Sequence, residues 1–498
     1  MLAIMPNAVY HRSLPARLAA AVVFLASGSV LVLEIVGLRL VGPYVGVTLQ
    51  TSSAVIGVAL AAIAYGAWTG GWLADRLDAR RLLAPALVLA GAATALTLPI
   101  VRYAGRLLRG TDPTSVLLLA VLALFIPAAL LSAVTPLVVK LQLADLRQTG
   151  RVVGRLSGIG TLGAITATLG TGFVLVAALP TSTIVVSLAV LLGAAGLALG
   201  WYLARRPAIV TALVVLAGGG LAVAAPNPCD VETAYHCASV TVDGQRPTGR
   251  YLWLNGAEHS YVDLADPRYL EFAYTRWIGA LVDVLAPPQR PIDVLHVGGG
   301  GFTLPGYVEA TRPGSDNLVL ELDGELVALA RARLALSSGP RVVTGDARVN
   351  LTRQPAGGRD LVIGDAFGRL VVPWHLTTRE LMAEVHRVLR EAGVYAMNLI
   401  DRPGAHFARA EAATVASVFG YVALIAPPAA VRGAEVANFV LLASDAPLPL
   451  DALRPRLAAL AEPVELVSGT ALDAFAGHAP VLTDDYAPVD QLLAGFLG

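Results

Sequence analysis

The sequence predicts an α-helical membrane bundle of about seven spans followed by an α/β domain that begins with a small β part. Three observations carry this. Of the 498 residues, 56% are hydrophobic and 14% charged, with a mean hydropathy of +0.66, a balance outside that of soluble globular proteins. Long apolar runs fill the first 226 residues and then cease. Beyond them short strand-like and helix-like pieces alternate, the order of a parallel sheet with helices on both faces.

A helix crosses about 30 Å of hydrocarbon with about 20 residues. Runs of that length occur near 17–38, 50–73, 82–101, 115–139, 157–178, 181–203 and 207–225. The first follows His11, Arg12 and Arg17 as a signal peptide would, but other runs follow and no small-residue cleavage pattern stands out, so it reads as a retained span. Small residues crowd these runs, as in "GVALAAIAYGAWTGG" and "GIGTLGAITATLGTG", which suits close helix packing in lipid. Trp68, Trp72, Trp201 and Tyr202 fall near span ends, where amphipathic rings favour the interface. Glu34 lies inside the first span and Arg39 at its end; an ionisable group there is a functional hypothesis, though the two are near enough to pair.

The domain boundaries read as 1–226 for the membrane part, 227–290 for a small β subdomain and linking helix, and 291–498 for the α/β domain. The stretch "YHCASVTVDGQRPTGRYLWLNGAEHSYVDL" alternates as strands do, with a Gly and Pro turn inside it. Then come "IDVLHV", "LPGYVEA", "NLVLEL", "ELVALARARLAL", "RVVTGD", "DLVIGD", "TTRELMAEVHRVLREA" and "GVYAMNLI". Lys+Arg and Asp+Glu are both 36, so net charge is zero, and no basic block marks a nucleic-acid footprint. Nucleic acid is not expected as a partner. The lipid bilayer is, and the oligomeric state stays open, a homo-oligomer included.

In a parallel sheet, ligands bind beyond the carboxyl ends of the strands. The loop after "DVLHV" holds Gly298, Gly299, Gly300 and Gly301, whose missing side chains let a ligand approach the backbone. Thr303 breaks the GxGxxG spacing, so a dinucleotide fingerprint is not met. Glu321 ends the next strand, where a carboxylate can accept ribose hydroxyls. A glycine turn with a solvent-facing Glu is the plainer account of the loop alone. Asp346 in "VVTGDAR" and Asp365 in "LVIGDAF" weigh against it, because three successive strands then end in acids aimed at one crevice.

These features resemble the S-adenosylmethionine-type (Rossmann-like) fold, and more narrowly the spermidine synthase (polyamine aminopropyltransferase) family, over about residues 230–400. The residues that carry the resemblance are "ETAYH" at 232–236, "LWLNGAEHS" at 252–260, "VGGGG" at 297–301, "LELD" at 320–323, "GDAR" at 345–348 and "IGDAF" at 363–367. "SGSVLVLEIVGLRLVGPYVG", "GGWLADR" and "LTDDYAPVDQLL" resemble the branch of that family with a multi-span region ahead of the enzyme. The resemblance implies that the glycines and Glu321 hold decarboxylated S-adenosylmethionine, that Asp346 with Ala347 takes its adenine, and that Asp365 is the catalytic carboxylate. Tyr235, His236, His259 and Tyr486 would contact a small amine substrate such as putrescine. For the two neighbours Tyr235 and His236, packing in a strand is the plainer reading; the family tends to place Gln at His259, and a turn explains Tyr486 equally well. No metal is required.

Two departures from the family pattern bear on substrate. An acid usually follows the three glycines and grips the aminopropyl ammonium; here it is Gly301. Another usually lies three residues after the catalytic acid and holds the distal amine; here it is Gly368. Glu258, Asp484 and Asp485 are the candidates to substitute. The reading is thus a membrane-anchored aminopropyltransferase. An S-adenosylmethionine-dependent methyltransferase is the alternative within enzymology, and a non-catalytic polyamine transporter or sensor the alternative outside it.

Trp374 and His375 in "VVPWHLTT" form a lid after the catalytic loop, and Thr377 or Thr378 caps the next helix with Glu380 in its first turn. Cys229 and Cys237 are the only cysteines and read as free thiols; a bridge would require an oxidising compartment. Lys and Arg mark the cytoplasmic side of a membrane. With the N-terminus inside, Arg12, Arg17, Arg76, Arg80, Arg81, Lys140, Arg147, Arg151, Arg155, Arg205 and Arg206 fall there, against Arg39, Arg102, Arg106 and Arg109 opposite. An odd number of spans then sends the catalytic domain to the extracytoplasmic side of the cell membrane.

Overall fold

The computed structural model describes residues 14–46, 48–108, 112–143, 146–204, 229–336, 339–368 and 371–494. The chain divides into two compact units, Met1–Pro228 and Cys229–Gly498. Among the described residues of the first, six helices are long and apolar enough to cross a membrane: α1 Ala16–Val45, α2 Leu49–Arg76, α3 Ala79–Leu107, α4 Pro113–Gln142, α5 Thr149–Ala178 and α6 Thr181–Leu203. The candidate span at 207–225 lies outside the described residues.

Polar caps start α2, α3 and α4 where the apolar runs begin. Asp112 accepts the Ser115 N–H at 2.9 Å with Pro113 beside it, and Thr48 accepts from Thr51 at 3.2 Å. The small residues work as expected in lipid. A Cβ at Gly66 would stand 2.1 Å from the Ala129 carbonyl oxygen, and one at Gly163 would stand 2.4 Å from that of Phe24, so α2 meets α4 and α1 meets α5 backbone to backbone. At one end of the bundle Lys140 pairs with Asp75 at 2.8 Å.

The second unit opens with a four-stranded antiparallel sheet, β1 Val231–Glu232, β2 Cys237–Val242, β3 Gly249–Leu254 and β4 Ala257–Asp263. Asn255 and Gly256, with φ of 52° and 75°, make the tight turn from β3 to β4. Tyr235 and His236 lie on the bend between β1 and β2, so strand packing does not account for them. The two cysteines are not free thiols: Cys229 and Cys237 are disulfide-bonded, with Cα atoms 5.1 Å apart. Both fall where the antiparallel edge begins, and pairing of β1 with β2 draws them together.

The larger sheet comprises β5 Asp293–Val297, β6 Asp316–Glu321, β7 Arg341–Thr344, β8 Arg359–Gly364, β9 Leu389–Asp401, β10 Tyr421–Ala426, β11 Ala437–Ser444 and β12 Glu465–Ser468. Their order is β12-β10-β11-β9-β8-β5-β6-β7. The run from β7 across to β9 is parallel, as the alternating pieces predict, but β10, β11 and β12 join antiparallel. The sheet is therefore mixed. The link 427–436 between β10 and β11 is shorter than the crossover of about a dozen residues that a parallel pair needs.

Helices α7 Ala273–Val284, α8 Thr303–Thr311, α9 Gly324–Arg333, α10 Ala347–Thr352, α11 Arg379–Val388 and α12 His406–Ala416 cover the sheet. Alternation along the strands feeds two cores. Leu295, Met397 and Phe439 pack with Met382 and Phe407 on one face, while Val294, Ala396 and Val440 pack with Trp277 and Ile278 on the other. Chain order reverses at β5 and β8, with β6 and β7 to one side and β9 to the other. The crevice beyond Val297 and Gly364 is thereby the binding position of this topology.

Arg312 secures the approach to β6. It is 2% exposed, and its guanidinium donates to the carbonyls of Val282, Ala286, Pro287 and Arg290 at 2.8–3.0 Å. Removing it strips donors from four carbonyls in the last turn of α7 and the link that follows it. Arg312→Met should destabilise the second unit by about 3 kcal/mol, read as a lower urea midpoint at unchanged slope when tryptophan fluorescence is followed in detergent; an unchanged midpoint would contradict this.

Candidate active site

β5 and β8 are paired neighbours, so Gly298 and Asp365 leave the sheet side by side. Gly298 has a φ of +95°, and a Cβ on it would stand 2.4 Å from the Asp365 carbonyl oxygen. Only glycine fits there without moving a strand end. The next two residues turn their N–H groups toward β6: Gly299 and Gly300 donate to Glu321 Oε2 at 2.8 and 3.3 Å. Glu321 Oε1 accepts the Asp323 N–H at 2.9 Å. The Glu321 side chain thus ties the glycine loop to the end of β6. Burial pushes its carboxyl up from the ordinary range, and these N–H groups pull it back down.

The small β sheet holds the loop from the other side. Gly301 donates to Ser260 Oγ at 3.0 Å, and Thr303 Oγ1 donates to the Tyr261 carbonyl at 2.8 Å. A Cβ at Gly301 would meet Ser260 Cβ at 2.7 Å. The position where the resembled family carries an acid is therefore sterically filled by Ser260.

Asp365 is held on both oxygens. Tyr274 OH donates to Oδ2 at 3.1 Å and Asn398 Nδ2 to Oδ1 at 2.9 Å. Asn438 Nδ2 donates in turn to Asn398 Oδ1 at 2.9 Å, fixing the amide's orientation. Burial pushes the Asp365 carboxyl up to about 6, against the two hydrogen bonds that favour its charge. It is a carboxylate at neutral pH, with a proton affinity well above that of an ordinary Asp.

His259 shares a small pocket with Asp365, Tyr274 and Gly298–Gly300. Its ring nitrogens are buried without a hydrogen-bond partner of good geometry. Burial pushes the imidazole down to about 4, with the Phe367 backbone a minor opposing influence, so it is neutral at pH 7. Phe367 meets the ring edge-on at 6.4 Å.

Asp346 lies one strand further out, at the end of β7. Its Oδ1 accepts the Val349 N–H at 2.9 Å, capping α10 ahead of buried Ala347, and Oδ2 is 3.1 Å from His375 Nε2. Arg348 forms a bidentate pair with Asp484 at 2.7 and 2.5 Å, and Thr378 Oγ1 donates to the same carboxylate at 2.7 Å. Arg348 holds the Asp484 carboxyl below its usual value. Asp484 is consequently engaged and does not stand in for a missing amine-binding acid. Thr378 is the cap of α11, with Glu380 in its first turn.

The structure brings Gly298–Gly301, Glu321, His259 and Asp365 into one cluster, with Asp346 and Ala347 beside it. The bend carrying Tyr235 and His236 is fastened to α9: Thr233 donates to Asp323, and the Ala234 N–H donates to Glu325 at 3.0 Å. His236 lies 3.3 Å from Asn255 Nδ2. Tyr235 and Tyr486 are 51% and 54% exposed, and neither is among the hydrogen-bond partners of Asp365. Tyr274, Asn398, Asn438 and Ser260 are the site residues that sequence reading missed. Asn398 alone left a signal, as a polar residue inside the apolar strand "YAMNLI".

No family model matches the chain. It is 33% identical over 164 residues to a polyamine aminopropyltransferase of Vibrio vulnificus, which covers 32% of this chain and 53% of that protein; the chain thus spans about half the length of the curated relative it matches. A probable spermidine synthase of Corynebacterium glutamicum superimposes with a TM-score of 0.48 and 29% identity, covering 52% of this chain and 96% of the other. A spermidine synthase in complex with the transition state analogue AdoDATO gives 0.35 and 19%, over 44% and 73% of the two chains. Human methyltransferase-like protein 13 in complex with SAH gives 0.30 and 18%, over 44% and 97%. By sequence, this chain resembles a polyamine aminopropyltransferase over 164 residues.

Proposed function

We propose that the second unit transfers an aminopropyl group from decarboxylated S-adenosylmethionine to a small amine, within a membrane-anchored protein. The observation that carries this is Asp365: a half-buried carboxylate at the sheet's reversal point, beside a bare glycine loop, aimed by Tyr274 and Asn398. An alkylammonium has a pKa near that of Lys, about 10.4, and has no lone pair until a base takes its proton. Asp365 accepts that proton and aligns the nitrogen. The nitrogen then attacks the methylene carbon bonded to sulfur; the carbon–sulfur bond breaks and its electron pair leaves on the neutral thioether. Glu321 orients the ribose through the acceptor capacity remaining on Oε1, and the Asp346 segment takes the adenine. Rim residues Tyr235, His236 and Tyr486, with His259 inside, contact the amine.

Methyl transfer from S-adenosylmethionine is the second reading, favoured by Ser260 filling the space at Gly301. Mass spectrometry of products after the purified protein receives either nucleotide with mixed amines separates the two. A gain of an aminopropyl group supports the proposal; a methyl group supports the second reading; no transfer refutes both.

Asp365→Asn should cut turnover by about a hundredfold or more while leaving nucleotide affinity within about threefold, and Glu321→Ala should weaken the nucleotide by about tenfold. Calorimetric titration in which Asp365→Asn loses the nucleotide while Glu321→Ala keeps it would reverse the assigned roles. Because the base must be ionised, wild-type kcat should fall as pH drops through about 6.

The same burial has a stability consequence. The folded-state pKa of Asp365 lies above the unfolded value, so the native protein binds more protons between about 4 and 6 and pays for a buried charge above that window. Asp365→Asn should unfold at higher denaturant than wild type at pH 7.5, by about 1–2 kcal/mol, and the gain should vanish at pH 4. Equal midpoints at both pH values would count against a raised pKa.

We place the second unit on the extracytoplasmic side, supported by the Lys and Arg distribution and by the Cys229–Cys237 disulfide. An impermeant maleimide should label these cysteines on intact cells only after mild reduction. Labelling that needs permeabilisation but no reductant would put the unit in the cytoplasm.

A further inference from the structure

The carboxylates at the crevice are almost all engaged. Glu321 accepts three backbone N–H groups. Asp323 caps α9 and accepts from Thr233. Asp346 caps α10 and faces His375, and Asp401 accepts the N–H groups of Arg402 and Ala408 at 2.7 and 2.8 Å. Asp484 is paired with Arg348. Glu411 is fully buried with neither oxygen bonded, but its helix packs with Phe407 and Ala408 on one sheet face, whereas Asp365 is reached from the Tyr274 and Trp277 face. Glu258 and Asp485 are open to water, where a charge pair gains little. Among the described residues that line the pocket with His259 and Gly298–Gly300, Asp365 is the one carboxylate.

A second ammonium entering this site would lose water and find no enclosed acid to replace it. Gly368, in the same loop as Asp365, adds no side chain, and a Cβ placed there meets nothing closer than the Val371 carbonyl oxygen at 3.8 Å. Aromatic side chains stand exposed on the segments hydrogen-bonded to the strand ends and the helices that follow them. Trp374, Tyr235 and Tyr486 are 51%, 51% and 54% exposed, on segments fastened to the site, and Phe367 lies against His259.

We infer that the acceptor is an amine with one cationic end and an uncharged apolar or aromatic remainder, and that a diamine is disfavoured. This rests on the group-transfer reading above. The test uses the full chain in detergent with decarboxylated S-adenosylmethionine and the matched acceptors butylamine and putrescine, alongside phenethylamine, with products quantified by mass spectrometry. After halving the putrescine value for its two equivalent ends, butylamine should exceed it in kcat/KM by about tenfold. A ratio above one supports the inference, and a ratio below one overturns it while leaving group transfer intact. No transfer to any amine overturns the transfer reading and this inference with it. Gly368→Asp, which places a carboxylate in the open space, should shift the ratio toward putrescine by about tenfold. A folded Gly368→Asp enzyme with an unmoved ratio would refute the missing charge as the cause; should that variant fail to fold, the wild-type ratio still decides.

Discussion

Bare backbone at Gly298 is the constraint on which the site depends. Two neighbouring parallel strands end together, and the chain leaving one must pass within contact of the main chain leaving the other. A side chain there would push the strands' exits apart. With them would go the placement of Asp365 beside the glycine loop. Glu321 follows from the same constraint. A loop without side chains has no packing of its own, so its conformation is held by hydrogen bonds, and a buried carboxylate accepting two of its N–H groups is a strong way to hold it.

The electrostatic consequence is that neighbouring acids acquire different chemistry from their surroundings. Burial raises the Glu321 carboxyl too, but three backbone donors oppose it and favour its charge, which suits a group that binds and orients. Asp365 has two neutral side-chain donors and stronger desolvation, which raises its proton affinity to a value useful to a base near neutrality. Asn438 contributes without approaching the crevice, because an Asn398 amide whose oxygen is already engaged can present only its NH2 group to Asp365. Asp346 and Asp484 hold the segment after Asp365: His375 and Arg348 fasten it to α10 and to the far end of the chain.

What could be read from sequence was what lay at the ends of apolar runs. Gly298, Glu321, Asp346 and Asp365 each directly follow a strand-length hydrophobic stretch, so locating the strand located the residue. Asn398 and Asn438 sit inside strands, where their meaning depends on register with a neighbour that the sequence does not announce. The Arg348–Asp484 pair spans 136 positions, and no local pattern links its members. The parallel half of the sheet was legible because each strand alternates with a helix. The antiparallel edge was not, since β11 enters between β9 and β10 out of chain order. For the cysteines, rarity argued for free thiols, whereas pairing of β1 with β2 set their Cα atoms at bonding separation.

The disulfide and the proposed donor pull the second unit toward opposite compartments. A bridge closing so short a loop persists in an oxidising environment, while sulfonium nucleotides are products of cytoplasmic metabolism. Span parity arbitrates between them. With the start of the chain inside, as the Lys and Arg distribution favours, the six described helices alone would return it there. The run at 207–225 reverses that result if it crosses. Its length and composition match the other spans, and Arg205 and Arg206 directly precede it on the side where the positive charges collect. An external unit then requires donor to reach it across the same membrane, a requirement that a cytoplasmic enzyme of the same fold would not face.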